Sequence, residues 1–493
     1  MVSAGRNFPS RPRSACERKW MVMESALSYS ILAETGKQVT KGEGKGKLEE
    51  DGLVISPKFG ETLSFSFREI IGIESKNYKL HLTLGTGEKL VLSDLGYDYE
   101  DFLRVLNYLR NEVLLKDMLM HETLKKSDVE AEFVHTDESG KVQKGEGKIR
   151  LYETGLVFIP ENGEMFRIPY SDLAEISEKG LGLAVTTEYG EKLSLSKMGR
   201  ELDPFKKTFS DINNELQLKV ISYLKELVSG IDSASLRAAA RLMKEGKAAK
   251  RKDIEAINPK LWAGLENKLS SSGAKEAYDF LRGLSHEERI CIGLKRGLMG
   301  DLTGEYIWFL IPIYAVDPKK PGNAVVMEAI EVSGAATEAK EAPKGTEPAV
   351  MGTQEVLKEV EKAEAAPEGG GKATYFFRIV SRKDYPKFKK LEDLNKEVDK
   401  FITTINRCML AINFRREPIF LPDEKLEDSR YQRYKFAVQK IPSLQTLRGL
   451  FIGRVIHASP EQWKEDVMDL LKFNVGIRDD NAKWQKGGSP DAA

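Results

Sequence analysis

Apolar and polar residues alternate through Thr62-Leu-Ser-Phe-Ser-Phe67 and again through Leu80-His-Leu-Thr-Leu84, after which Gly85-Thr-Gly87 leads into Lys89-Leu-Val-Leu92. A period of two around a glycine turn predicts a β-hairpin. The spacing then changes, with Phe102, Val105, Leu106 and Leu109 at helical intervals, so an amphipathic helix is expected to follow the strands. The same order returns later in the chain: alternation over 183–187, a turn at Gly190, Lys192-Leu-Ser-Leu195, and then Phe205, Phe209, Ile212 and Leu216.

The recurrence is a duplication. A shift of 103 residues lays Lys41-Gly-Glu-Gly-Lys45 on Lys144-Gly-Glu-Gly-Lys148, Gly52-Leu-Val54 on Gly155-Leu-Val157, Pro57 on Pro160, Gly60-Glu61 on Gly163-Glu164, and Gly87-Glu-Lys-Leu90 on Gly190-Glu-Lys-Leu193. From Lys41 to Gly96, 24 of 56 positions are identical without a gap, against about 6% expected from average composition. A unit of about 100 residues is longer than solenoid repeats of roughly 20 to 50, so each copy is expected to be a domain with its own core.

Each copy reads as about seven short strands and one closing helix. On Gly52-Leu-Val-Ile-Ser-Pro57 with Gly155-Leu-Val-Phe-Ile-Pro160, on Ile70-Ile-Gly-Ile73 with Leu173-Ala-Glu-Ile176, and on the hairpin and helix that follow, the copies resemble the pleckstrin-homology (PH)-like superfold, in particular GRAM and bacterial PH-like domains. The resemblance implies two consecutive PH-like β-barrels, each closed by a C-terminal helix. Many PH domains place a tryptophan in that helix, and neither 98–118 nor 201–224 contains one.

Beyond Ser229 the period is helical, with Pro259 opening one helix. Residues 306–316, 324–330 and 373–380 read as three strands of a small antiparallel sheet, and 331–372, rich in Ala, Glu, Lys, Pro and Gly, as a flexible insertion. Leu391, Leu394, Val398, Phe401 and Ile405 mark a long helix, and Leu447 to Leu471 two more. The expected class is a multidomain α+β chain: 1–23 a disordered leader or misassigned start at Met21 or Met23, 24–125 and 126–230 PH-like, 231–477 a mostly helical α+β domain interrupted by 331–372, and 478–493 a tail.

Lys and Arg total 76, as do Asp and Glu, so no global field draws the chain to nucleic acid or an anionic membrane and any such binding is local. Cys16, Cys291 and Cys408 form no CxxC pair, which fits a reducing, cytoplasmic setting. The most apolar run, 306–316, is eleven residues where a spanning helix needs about 20. The five histidines form no HxxxH or HxH pair, and His286 reads as part of a helix start behind Ser285, with Glu288 at capping-box spacing. No catalytic, metal or cofactor motif emerges. The Gly42-Glu-Gly-Lys-Gly46 run lacks the Ser or Thr of a phosphate loop and reads as a hairpin.

Two basic groups remain. Lys41, Lys45 and Lys47 with Lys144, Lys148 and Arg150 alternate as on one strand face, and the PH resemblance makes them candidates for an anionic lipid headgroup. Lys247, Lys250, Arg251 and Lys252, beside a helix-turn-helix-like junction at Gly246, are candidates for nucleic acid. The function expected is a non-enzymatic adaptor whose tandem modules bind protein partners along strand edges or hairpin loops. The alternatives are peripheral binding of anionic lipid or nucleic acid, and an enzyme in the C-terminal domain around Arg378, Arg415, Arg416 and Glu417.

Overall fold

The computed structural model describes residues 23–118, 122–295, 305–317, 320, 322–331, 373–457 and 459–475. The expected leader, tail and insertion lie outside them, apart from Met23 and Glu331 at their borders. Of the described residues, 23–118, 124–206 and 426–439 form one compact unit and the remainder a second.

The first unit holds the strands of both copies and the helix of the first; residues 207–227 of the helix after the second copy belong to the second unit, so the boundary expected at 230 falls at 206. Strands β1 (Met23–Leu32), β2 (Gln38–Leu48), β3 (Gly52–Pro57), β4 (Leu63–Ser66), β5 (Ile70–Lys76), β6 (Lys79–Leu84) and β7 (Lys89–Ser93) are followed by helix α1 (Tyr99–Asp117). They form an antiparallel sheet in the order β4-β3-β2-β1-β7-β6-β5. The second copy repeats this with β8 (Leu124–Thr136), β9 (Val142–Tyr152), β10 (Gly155–Pro160), β11 (Phe166–Pro169), β12 (Leu173–Lys179), β13 (Gly182–Thr187) and β14 (Lys192–Ser196), in the order β11-β10-β9-β8-β14-β13-β12. Register repeats with the sequence: Leu48 opposite Leu53 becomes Leu151 opposite Leu156, and Ile73 opposite Leu82 becomes Ile176 opposite Val185.

The run Gly42 to Gly46 lies inside β2 and not in a hairpin turn. Its glycines answer a steric demand. A Cβ at Gly44 would sit 2.3 Å from the Ser56 carbonyl oxygen, and one at Gly46 would sit 2.3 Å from the Leu27 side chain. Gly147 meets the same constraint 2.4 Å from the Ile159 carbonyl oxygen. These close approaches let neighbouring strands bend towards one another, and the curled antiparallel sheets fit a PH-like barrel.

One core runs through α1. Phe102, Leu103, Leu106 and Leu109 are buried with Leu27, Leu53 and Leu82 of the first copy, and the same cluster takes in Tyr152, Val157, Ile159 and Met165 of the second. Phe436, from the distant stretch 426–439, is fully buried in it, with the Arg110 guanidinium 5.6 Å from its ring. The first copy therefore shares its core with the second and with a segment expected in the C-terminal domain.

The second unit is built on a six-stranded antiparallel sheet. The three expected strands are β17 (Tyr306–Ile313), β18 (Ala324–Glu331) and β19 (Ala373–Arg378), flanked by β15 (Ala249–Lys250), β16 (Cys291–Lys295) and β20 (Phe451–Ile456) in the order β15-β16-β17-β18-β19-β20. Residues 291–295 and 451–456 were expected to be helical; segments of five or six residues carry too little periodicity to separate the two states. Pro312 faces Val325 on β18, while the β16 pairing of β17 ends at Leu310, so the missing N–H of Pro312 costs no ladder bond.

Helices α2 (Leu202–Leu227), α3 (Ser233–Leu242), α4 (Arg251–Ile257), α5 (Pro259–Leu269) and α6 (Lys275–Arg282) precede β16, and α7 (Leu391–Ala411), α8 (Glu417–Phe420), α9 (Tyr434–Lys440), α10 (Pro442–Leu450) and α11 (Pro460–Asn474) follow β19. Pro259 opens α5 behind Asn258, whose side chain accepts from the Lys260 N–H. Ile307, Phe309 and Ile311 pack with Trp262, Leu265, Trp463 and Val467 on one sheet face. On the other face, Trp308 meets Phe414 at 5.3 Å and Phe377 meets Phe401 at 6.3 Å. Burial on both faces explains the uninterrupted apolar run.

The close approach at β2 makes a paired prediction. Gly44→Ala is expected to destabilise the first unit by about 1–3 kcal/mol, because the methyl meets backbone. Gly449→Ala, in α10 with no atom within 4 Å of its Cβ position, is expected to stabilise by about 0.5–1 kcal/mol. Denaturant melts of the full chain check both signs.

Candidate functional site

Within β2, Lys41, Lys45 and Lys47 share one strand face, as Lys144, Lys148 and Arg150 do within β9, and acids interleave with them. Lys45 pairs with Glu24 at 2.8 Å and Lys47 with Glu49 at 2.6 Å; hydrogen bonds to these carboxylates raise the pKa of both lysines. Arg150 is bound by Glu112 at 2.7 Å and by Asp128 at 2.8 Å. Burial opposes its charge, and the hydrogen bonds and charge of those two carboxylates outweigh that cost, so its pKa rises. Lys41, Lys144 and Lys148 are exposed and form no ion pair among the described residues.

The second basic group is also matched by acids. Gly246 ends a 3₁₀ turn, and the two-residue strand β15 intervenes before α4 where a helix-turn-helix-like junction was expected. Asn406 holds this stretch through both backbone groups of Ala248, at 2.7 and 3.1 Å. Lys250 pairs with Asp399 at 2.9 Å. Arg251 binds Glu255 and Glu287 and lies 5.9 Å from the Trp262 ring. Lys247 is half-buried and Lys252 exposed.

The alternative enzymatic set does not converge. Arg378 sits opposite Ala324 at one end of β18 and donates to Asn474 Oδ1 at 2.8 Å, with burial lowering its pKa. Arg416 donates to the Ala329 carbonyl, five positions along β18, which is about 17 Å of strand. Arg415 keeps a buried Nε without a hydrogen-bond partner, and Glu417 begins α8.

His135 stacks on Phe166 at 3.9 Å and lies 2.7 Å from Glu191, and His121 is outside the described residues. Ser285 donates to the Arg282 carbonyl and does not cap the 3₁₀ turn at Glu287–Arg289, while His286 lies 3.2 Å from the Tyr314 carbonyl oxygen. A polar cluster that the sequence did not disclose lies in the second unit. Thr374 Oγ1 donates to Glu328 Oε2 at 3.0 Å, Trp463 Nε1 donates to Thr374 Oγ1 at 3.2 Å, and His457 Nε2 lies 2.9 Å from the hydroxyl. Thr374 is fully buried, which closes it to any substrate. Among the described residues, no group of three His, Cys, Asp or Glu could hold a metal ion, and no helix is long and apolar enough to cross a membrane.

Two exposed features recur across the copies. Tyr78 (78% exposed) and Leu181 (86%) cap the β5–β6 and β12–β13 hairpins, exactly one repeat apart. Both hairpins border the solvent edge of their sheet, and Ile176 on β12 is itself 44% exposed. Tyr78 has φ of 56°, a left-handed conformation that a bulky side chain seldom adopts, and rests on Tyr99 at 5.5 Å. Large apolar residues in tight turns are the sequence signal that would have singled them out. In the first copy a concavity of about 290 Å³ opens beside the β2–β3 turn, lined by Glu49, Glu50, Asp51, Val54, Ser64 and Ser66.

No family model matches the chain, and no curated protein matches it. Among solved structures, it is similar to the Spt16D Pob3N heterodimer over 33% of this chain and 83% of that chain, at 20% identity and a TM-score of 0.14.

Cys291 and Cys408 are fully buried. Burial pushes the Cys291 thiol up to about 12 and raises Cys408 as well. In a Cys16→Ser variant, an aromatic disulfide reagent at about pH 8 is expected to modify neither thiol until the chain is unfolded. The folded thiols keep their protons above the ordinary value of 9.0, at which unfolded thiols ionise. Their contribution to stability is thus complete below that pH and declines as pH rises towards about 12, which melts over that range would register.

Proposed function

We propose that this chain is a non-enzymatic interaction protein whose two PH-like modules, of the GRAM or bacterial PH-like kind and each closed by its C-terminal helix, bind protein partners. The observation that carries the reading is the matched pair of apolar hairpin tips, Tyr78 and Leu181, beside the edge strands β5 and β12. A strand that ends a sheet can present backbone groups to an incoming strand. An exposed aromatic or aliphatic anchor beside it supplies the apolar contact on which binding energy concentrates. Ion pairing of Lys45, Lys47, Arg150, Lys250 and Arg251 weakens the lipid and nucleic-acid alternatives by filling the positions that would grip phosphate.

The test is quantitative affinity purification of the full chain against a Tyr78→Asn/Leu181→Asn variant, asparagine being tolerated in left-handed turns. Proteins recovered reproducibly with the parent are expected to fall at least tenfold with the variant. Unchanged recovery, or binding to anionic vesicles that disappears on Lys41→Glu/Lys144→Glu/Lys148→Glu substitution, overturns the reading.

A further inference from the structure

The duplication lets one surface be read from its twin. In the second copy, the loop before β11 and the adjoining face of β9 and β10 are covered by α1. Asn111 Nδ2 donates to the Gly163 carbonyl at 3.0 Å, and the Met165 N–H donates to Asn111 Oδ1 at 3.0 Å. Arg110 pairs with Glu164 at 3.0 Å, Glu112 pairs with Arg150, and Tyr152, Val157, Ile159 and Met165 complete the contact in the common core.

One repeat earlier, the first copy keeps the polar half of this arrangement. Gly60 and Glu61 stand where Gly163 and Glu164 do, Lys47 stands for Arg150, and Gly60 at φ 107° repeats the left-handed turn of Gly163 at 136°. The Gly60 carbonyl and the Thr62 N–H, counterparts of the two groups clasped by Asn111, are exposed and have no protein partner among the described residues. The apolar half has changed sign of preference: Tyr152, Ile159 and Met165 are replaced by Glu49, Ser56 and Thr62, and Thr154 by Asp51. Two of these replacements, Glu49 and Asp51, line the acidic concavity described above beside Glu50, whose counterpart Glu153 is acidic as well. An apolar helix like α1 would leave its leucines against carboxylates, whereas cationic side chains would be met by Glu50, Asp51 and Glu61 and would compete with Lys47 for Glu49.

We propose that this face of the first module, from the β2–β3 turn to the 59–62 loop, docks a basic α-helix of a protein partner, with a carboxamide side chain spanning the Gly60 carbonyl and the Thr62 N–H. The proposal rests on the reading of the chain as a protein-binding one and names the chemistry of one partner surface.

The probe is a peptide with the α1 sequence Tyr99–Asp117 in which Leu114 and Leu115 are replaced by arginine, titrated into the full chain at low salt by fluorescence anisotropy; a glutamate-substituted peptide is the control. Saturable binding of the basic peptide is expected, weakened about tenfold by Asn111→Ala in the peptide and at least tenfold by Glu49→Lys/Asp51→Lys in the chain. No saturation, equal binding of the acidic peptide, or indifference to the chain variant overturns the proposal. Helix α2 carries Asn214 and Glu215 one repeat after Asn111 and Glu112, both exposed. Concentration-dependent sedimentation abolished by Asn214→Ala would therefore assign the surface to a second copy and also overturn it. If the peptide fails while the hairpin variant still loses its partners, only this proposal falls; if the peptide binds while that variant keeps them, only the hairpin reading falls.

Discussion

A helix buried on two sides governs the first unit. In one repeat of this length, α1 would need a single apolar stripe to cover its own sheet. Here Arg110, Asn111, Leu114 and Leu115 are buried as well, because the neighbouring copy and Phe436 occupy the outer side. Polar groups on that side are tolerated because most are answered: Asn111 satisfies two backbone groups, and Arg110 donates through Nε to the Ile70 carbonyl and through Nη1 to Glu164, while its buried Nη2 has no hydrogen-bond partner. The carboxamide and guanidinium fix the register of one copy on the other, a specificity that leucines alone would not impose.

Much of the first unit was legible because its signal is periodic and stated twice. Alternation located the hairpins, and the shift of 103 carried the strands from β2 onwards, with their register, from one copy to the other. The sharing of the core was not legible. Asn111 and Arg110 read as an ordinary polar helix face, and Phe436 lies 326 residues beyond Arg110, whose guanidinium faces its ring. In the second unit the long helices and the buried strand at Tyr306 were clear, whereas β15, β16 and β20 were too short for any period to emerge, and only pairing with a neighbour makes them strands.

The candidate sites divide on a similar line. Alternation placed Lys45, Lys47 and Arg150 on one face correctly, yet charge state depends on what stands across the strand. Glu49 stands only two residues from Lys47 in the sequence, whereas Glu24 beside Lys45 and Glu112 from α1 beside Arg150 emerge only once the sheet is assembled. Spacing identifies a face; part of its electrostatic character comes from residues distant in the chain. The buried cluster of Glu328, Thr374 and His457 escaped for the same reason, since its members come from three separate strands or strand ends.

The copies also differ by a single residue that leaves the sheet intact. In β1 and β2, Ile31 faces Thr40 while Leu32 faces Gln38, so Val39 stands unpaired as a bulge. The second copy has none there, with His135 opposite Gln143 and Thr136 opposite Val142. An inserted residue in a regular strand would turn every following side chain to the wrong side of the sheet; absorbed as a bulge, it leaves Leu27 and Tyr29 facing inward. The two halves of the gene product could thus drift apart in length without either losing its inside-out pattern, and the kinship of β1 with β8 is recovered only by counting 104 residues where the rest of the repeat counts 103.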